Sequence, residues 1–168
     1  MRYFYLLLII SFIPLITISA SKNDSTKTVT SFRLSEDLVV DGILDENVYQ
    51  NIPLTNFTQK DPIEGQPISE KSEVWVSHDD HNIYVSGRFW DSNPGLIDAT
   101  LMRRDNAVES DWLFVYLDTY NDDRTGYFFA VNAGGSIADG TLFNDSWDDD
   151  SWDGIWESKT SMHENGWN

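Results

Sequence analysis

The sequence predicts an all-β protein built as an antiparallel β-sandwich, and three observations support this prediction. Short runs rich in aromatic and β-branched residues recur along the chain, turn-forming residues separate them, and hardly any stretch has helical periodicity. Aromatic residues make up 14 % of the 168 residues, and cysteine is absent. The fold therefore has to be stabilised by a buried apolar core, because no disulfide framework is available.

The clearest hairpin lies in the middle of the chain. Residues 73–77 alternate between apolar and polar side chains, residues 78–82 form a polar turn, and residues 83–90 return as the second strand. Shortly before this hairpin, Asp45 can cap one brief helix over residues 46–50. The sequence predicts no other helix in the mature chain.

The second half of the chain predicts four further strands. Residues 112–117 are apolar on both faces, which is typical of the central strand of a sandwich. The other three strands are predicted at residues 127–132, 136–142 and 155–162.

A strong hairpin turn lies close to the last residue. Asn165 and Gly166 are the dipeptide that most favours a two-residue hairpin loop, but only Trp167 and Asn168 follow it. At least one partner strand is therefore expected after residue 168, and the strand around Trp156 is expected to lie at an exposed sheet edge.

The N-terminal residues predict export. A short positive start, an apolar run over residues 3–16 and small residues at positions 17–20 are typical of a cleaved signal peptide, with a single membrane anchor as the alternative. The predicted organisation is then a signal peptide (residues 1–20), a flexible leader (21–36) and an incomplete sandwich (37–168). Export without cysteine favours the bacterial periplasm, the outer membrane or the extracellular space.

The charge excludes several classes of partner. Acidic residues number 28 and basic residues 11, so the formal net charge is −17. Such a surface repels nucleic acid and anionic membranes. The chain also has no nucleophile elbow, phosphate loop or identifiable carboxylate pair, so catalysis by this segment is not expected.

Four ordered segments carry a resemblance to a known family. Residues 40–46 (VDGILDE), 80–85 (DHNIYV), 111–118 (DWLFVYLD) and 129–132 (FAVN) resemble signature segments of family 9 carbohydrate-binding modules. The likeness covers residues 38–167. It is strongest to the variant at the N-terminus of large bacterial outer-membrane proteins, which the segments QKDPIEG, MRRD and GYFF also resemble.

The resemblance implies a non-catalytic, sugar-binding sandwich in a protein linked to polysaccharide breakdown or uptake. It also implies a following outer-membrane barrel region as a possible partner of the module. Among the family's sugar-contacting positions, Asn132 matches, whereas Val108, Phe114 and Ala130 replace a tryptophan, a glutamate and an arginine. The alternative is a structural or interaction domain of such a barrel protein that binds no sugar.

One late segment has the composition of a glycan platform. Residues 139–157 contain seven acidic residues and three tryptophans, with no basic residue. Indole rings stack on the apolar face of a pyranose, and carboxylates accept hydrogen bonds from its hydroxyls. Together with Asn132, the predicted sugar contacts are Trp147, Trp152 and Asp148, whereas Trp156 is expected in the core.

The same segment can also hold a cation. Calcium takes oxygen ligands from flexible acidic loops, and Asp149, Asp150 and Asp153 are the predicted ligands of a structural calcium ion. A second acidic group, at Asp118, Asp122 and Asp123, is the other candidate. The alternative for both groups is a solvated acidic loop.

Overall fold

The computed structural model describes residues 28–106, 108–144 and 147–168, with only the backbone described for Trp147. Within these ranges the chain is all-β, as the sequence predicts, because its strands form two sheets and its helices are two short 3-10 turns, Asn47–Gln50 and Pro94–Leu96. The strands are β1 (Ser31–Arg33), β2 (Ser72–His78), β3 (Ile83–Trp90), β4 (Trp112–Leu117), β5 (Thr125–Asn132), β6 (Ile137–Phe143), β7 (Trp147–Asp149), β8 (Met162–His163) and β9 (Gly166–Trp167).

Sheet I contains five strands in the order β1-β2-β3-β9-β8. Its centre is the predicted hairpin, since β2 and β3 pair antiparallel from Ser72↔Phe89 to His78↔Ile83. The short strand β9 pairs with the other side of β3, where Trp167 lies opposite Phe89. The two rings are 4.6 Å apart, so an aromatic contact fixes this junction.

The folded region begins earlier than the predicted boundary at residue 37. Strand β1, within the predicted leader, pairs in parallel with β2. The Ser31 hydroxyl also lies 2.8 Å from Nδ1 of His78, and Arg33 forms an exposed ion pair with Asp80. The predicted signal peptide and residues 21–27 lie outside the described residues. Among the described residues, no helix has the length and apolar character needed to cross a membrane.

Sheet II contains four strands in the order β4-β5-β6-β7, all paired antiparallel. The prediction that residues 112–117 form a central strand is wrong, because β4 lies at the edge of this sheet. Its side chains Phe114 and Tyr116 are exposed by 45 % and 61 %, so one of its two apolar faces is open to solvent. An apolar run on both faces does not distinguish this arrangement from burial on both sides.

The predicted strand at residues 155–162 is wrong for most of its length. Only Met162 and His163 form a strand, β8. The predicted turn at Asn165-Gly166 is shifted by one residue, because Glu164 and Asn165 connect β8 to β9 and Gly166, the first residue of β9, pairs with His163. Side chains from Ile155 to Thr160 still alternate between exposed and partly buried, so the local period is that of a strand. The segment is not assigned to a strand because its backbone pairs with no other described residue.

The predicted helix is a single 3-10 turn. Its N-cap is Glu46 rather than the predicted Asp45, and no side chain caps it. The turn places Tyr49 against Trp75 of β2, with the ring centroids 5.5 Å apart, and the Trp75 indole N–H donates to the Asn51 carbonyl over 2.9 Å.

The apolar side chains buried in the described structure are Val48, Val74, Trp75, Phe128, Ala130, Ala133 and Trp167.

The β2–β3 turn depends on one carboxylate. Asp79 accepts backbone hydrogen bonds from His81 and Asn82 and a hydroxyl hydrogen bond from Tyr84, each 2.7 Å long. These donors, the His81 backbone N–H first, hold the pKa of Asp79 well below its usual range. The folded state therefore favours the ionised carboxylate.

Replacing Asp79 with alanine is expected to lower the melting temperature at neutral pH. Because the folded pKa is depressed, this contribution is present above the unfolded value of about 3.9 and is lost as the pH falls further. The difference between the melting temperatures of the two proteins should therefore be constant from pH 7 to about pH 5 and shrink progressively as the pH falls from about 4 to 2. Asp80→Ala is the matched control, since its exposed ion pair with Arg33 contributes little. A difference between the Asp79 variant and the parent that stays constant with pH would contradict the assignment.

Candidate functional site

An aromatic row crosses one face of sheet II. It consists of Trp112, Phe114 and Tyr116 on β4 and Phe128 on β5, with neighbouring ring centroids 5.7, 6.0 and 6.3 Å apart. The planes of Phe114 and Tyr116 differ by only 10°. These two rings are therefore nearly parallel and substantially exposed, whereas Phe128 at the inner end of the row is buried.

Strand register explains why the rings share a face. Side chains at alternate positions of a strand lie on the same face, and directly paired residues do so as well. Tyr116 pairs with Phe128, and Phe128 pairs in turn with Gly140 of β6. Gly140 is required here because a β-carbon at this position would lie 2.5 Å from a carbon of the Phe128 ring.

One polar group lies on this sheet face at the opposite edge from Phe114 and Tyr116, and another lies at the Trp112 end of the row. Asp148 of β7 pairs with Leu142, which pairs with Gly126, so Asp148 is on the same face as Phe128 and is exposed. At the other end, the Trp112 indole N–H donates to the Val108 carbonyl over 3.2 Å. The predicted sugar contact Asp148 is thus on the same sheet face as the exposed rings.

Trp152 is on the opposite side of β5. Its ring lies 4.8 Å from Tyr127 and 6.1 Å from Phe129, which alternate with Phe128 along the strand. Trp156 lies 5.4 Å from Phe129 at 77°, an edge-to-face contact. Both indoles are partly buried. The structure therefore separates Trp152 from the face that carries Asp148, and the side chain of Trp147 lies outside the described residues.

Asn132 is fully buried at the end of β5. Its amide nitrogen donates to the Thr100 carbonyl over 2.6 Å and lies 3.1 Å from the Ser110 hydroxyl, while its amide oxygen accepts the Ser136 N–H over 2.8 Å. Both ends of the amide thus join the loops around sheet II. The geometry gives Asn132 a structural role, and its predicted sugar contact stays a prediction.

Three acidic side chains gather around one arginine, and Asp153 is the predicted calcium ligand among them. Carboxylate oxygens of Asp105, Asp139 and Asp153 lie within 4.8 Å of one another, and Arg104 forms ion pairs with all three. We name these four residues the Arg104 centre. The pKa of Arg104 is raised, and the hydrogen bond from Arg104 to Asp139 is the largest cause of this shift. The guanidinium therefore supplies the positive charge at this position.

The other predicted calcium ligands are hydrogen-bonded locally. Asp149 accepts the Ser151 hydroxyl and backbone N–H, and these two bonds lower the pKa of Asp149. In the second acidic group, Asp118 accepts three backbone N–H groups and Asp122 accepts the Thr125 N–H and hydroxyl. These bonds are typical of turns. Calcium binding in either group, including at Asp150, stays a prediction.

Sequence reasoning missed the aromatic row and the Arg104 centre. A signal for the row was present, because Trp112, Phe114 and Tyr116 occur at every second position of one strand. For the Arg104 centre no local signal exists, since Arg104 and Asp139 are 35 residues apart.

Comparisons with protein-family models, with curated proteins and with solved structures found no match to this chain.

Proposed function

We propose that the protein is a non-catalytic carbohydrate-binding domain whose sugar lies on the aromatic row of sheet II. The observation that carries the proposal is the pair Phe114 and Tyr116, two exposed rings with nearly parallel planes. The C–H face of a pyranose is apolar and packs on aromatic rings, so two neighbouring exposed rings offer it an apolar surface. Exposure of such large apolar side chains typically marks a binding surface.

The surrounding charge narrows the ligand class. Asp148 on the same face accepts hydroxyl hydrogen bonds without hindering the rings. The net charge of −17 opposes the approach of uronate or sulfated glycans. We therefore expect a neutral polysaccharide or oligosaccharide as the ligand.

The proposed context is the one that the resemblance implies. Sheets I and II would stack as a β-sandwich of the family 9 carbohydrate-binding type in an exported bacterial protein, associated with polysaccharide breakdown or uptake. The register supports the location of the ligand, because Phe114 pairs with Ala130 and Trp112 with Asn132. The positions that correspond to family sugar contacts thus share this face, and of the three only Phe114 is open to a ligand, because Ala130 and Asn132 are buried.

A second candidate function rests on the same exposure of Phe114 and Tyr116 to solvent. In a structural or interaction domain without sugar binding, the aromatic row would be covered by another part of the protein, such as an outer-membrane barrel region. The exposed fractions of Phe114 and Tyr116 are compatible with that role, but the exposed Asp148 on the same sheet face favours a hydroxyl-rich ligand.

Affinity electrophoresis on a panel of neutral and acidic polysaccharides tests the proposal. The parent protein should be retarded by at least one neutral glycan, and Phe114→Ala and Tyr116→Ala should each weaken that binding about tenfold, because each removes one stacking surface worth about 1.4 kcal/mol. Tyr120→Ala is the matched control, since Tyr120 is 74 % exposed and lies outside the row. Its binding should equal that of the parent.

The same assay separates the two faces of β5. Trp152→Ala should leave the retardation unchanged if the sugar lies on the aromatic row, and should abolish it if the sugar lies on the Trp152 side. Absence of retardation on every glycan would overturn carbohydrate binding and leave the structural role. Equal loss in the Tyr120 variant would show that the effect is not specific to the row.

A further inference from the structure

Residues 155–160 form an unpaired edge in the described structure. We name them the edge segment. They contain no turn or bend, and their side chains alternate between exposed and partly buried positions. Their backbone N–H and C=O groups make no hydrogen bond with any other described residue. An extended backbone with unpaired polar groups is a template for pairing with another strand.

The edge segment is accessible to a partner along most of its length, because Ile155, Glu157 and Lys159 are exposed, whereas Gly42 packs against the backbone of Thr160 at its end. It leads directly into β8, and β8 is the terminal strand of sheet I in the order β1-β2-β3-β9-β8. A strand added beside it would therefore continue an existing sheet edge. Ile155 is fully exposed, which is unusual for an isoleucine beside unpaired backbone.

Contacts at both ends hold the edge segment in place. Before it, the Gly154 carbonyl accepts a 3.0 Å hydrogen bond from Arg104. After it, Ser161 and Asn168 exchange two backbone hydrogen bonds of 3.1 and 2.9 Å. Trp156 anchors its middle against Phe129. Because the segment is already ordered, pairing would cost little additional conformational entropy.

The edge segment is complementary in charge to itself. In an antiparallel pair of two copies centred on Ser158, Glu157 of one copy lies opposite Lys159 of the other, and two-fold symmetry repeats this pair. Glu157 and Lys159 are both exposed and occupy the same face as Ile155. A shift of the centre to Glu157 would instead place two glutamates opposite each other, so the charges favour the Ser158 register over that one.

We propose that two copies of this protein associate through their edge segments, in the antiparallel register centred on Ser158. The interface is a short β-ladder, which makes the dimer weak and dependent on concentration. The net charge of −17 per copy opposes association at low ionic strength, whereas physiological salt screens charges more than about 8 Å apart. The two Glu157–Lys159 pairs are in direct contact and are screened less.

Sedimentation equilibrium of the full chain over a range of concentrations tests this interface. The parent should show a monomer–dimer equilibrium at physiological salt. Glu157→Lys and Lys159→Glu should each weaken dimerisation tenfold or more, because symmetry turns both opposite-charge pairs into like-charge pairs. The double variant, with both substitutions, restores opposite charges in the same register and should dimerise like the parent.

Matched charge reversals away from the edge segment serve as controls. Glu64→Lys and Lys60→Glu change the net charge by the same amounts at exposed loop positions and should leave dimerisation nearly unchanged. A parent protein that is monomeric at all concentrations would overturn the proposal, as would a dimer that is equally sensitive to the control reversals. Failure of the double variant to regain association would reject the Ser158 register. None of these results depends on whether the protein binds a glycan.

Discussion

Arg104→Met is expected to lower the free energy of unfolding by about 3 kcal/mol, because it leaves the carboxylate of Asp139 buried without its cation. Asp139 is fully buried, and Arg104 donates to it from both Nε and Nη2. Arg104 also contacts the Gly154 carbonyl and Asp153, so one side chain connects three separate segments. Urea denaturation followed by tryptophan fluorescence measures the loss.

The partner substitution distinguishes charge from packing. Asp139→Asn keeps the shape of the side chain and removes its charge, so adding it to the Arg104→Met protein should restore part of the lost stability. Arg33→Met is the matched control, since Arg33 and Asp80 form an ion pair between side chains that are 63 % and 69 % exposed and contribute little. An Arg104 variant as stable as the parent would show that the buried carboxylate does not need this cation.

Trp75→Ala is expected to have the largest effect of any single substitution here, about 3–5 kcal/mol, because it removes a large indole from the core of sheet I. Trp75 is 3 % exposed and contacts Tyr49 edge-to-face. The same denaturation experiment measures the change, and near-complete unfolding of the variant at 25 °C is a result consistent with it.

One further variant shows which part of the indole matters, and a second variant is the surface control. Trp75→Phe keeps an aromatic ring but leaves the Asn51 carbonyl without its donor, so a smaller loss of about 1–2 kcal/mol is expected. Ile52→Ala removes an apolar side chain that is 87 % exposed and should change stability by less than about 0.5 kcal/mol. Equal losses for alanine and phenylalanine at position 75 would contradict the role assigned to ring packing.

The fold was predictable where the information is local. Strand β3 was predicted with its observed ends, because alternation and a polar turn define a hairpin without distant residues. The same reasoning recognised the strand period of residues 155–160 but overestimated the strand, since a β-ladder needs a partner and the pattern of one segment does not specify it. Strand β4 was found but placed at the centre of a sheet, because aromatic side chains satisfy the burial pattern even where they are exposed to solvent.

The candidate site was less predictable than the fold. Tryptophans and acids close together in sequence suggested a platform, but the register places Trp152 and Asp148 on different sides of the sheet. The exposed rings Phe114 and Tyr116 become a surface only once β4 is known to be an edge strand. Long-range pairing, which decides this, leaves no trace in composition.

Closure of sheet I sets an order of events during synthesis. The side of β3 that receives β9 is filled by residues far along the chain, as the hydrogen bond between Arg88 and Asn168 spans 80 positions. A ribosome adds about 5–20 residues per second, so a nascent chain with β2 and β3 already paired would expose that side of β3 for several seconds. Chaperone binding to the nascent chain is therefore expected to concentrate at β3 and to end when Trp167 packs on Phe89.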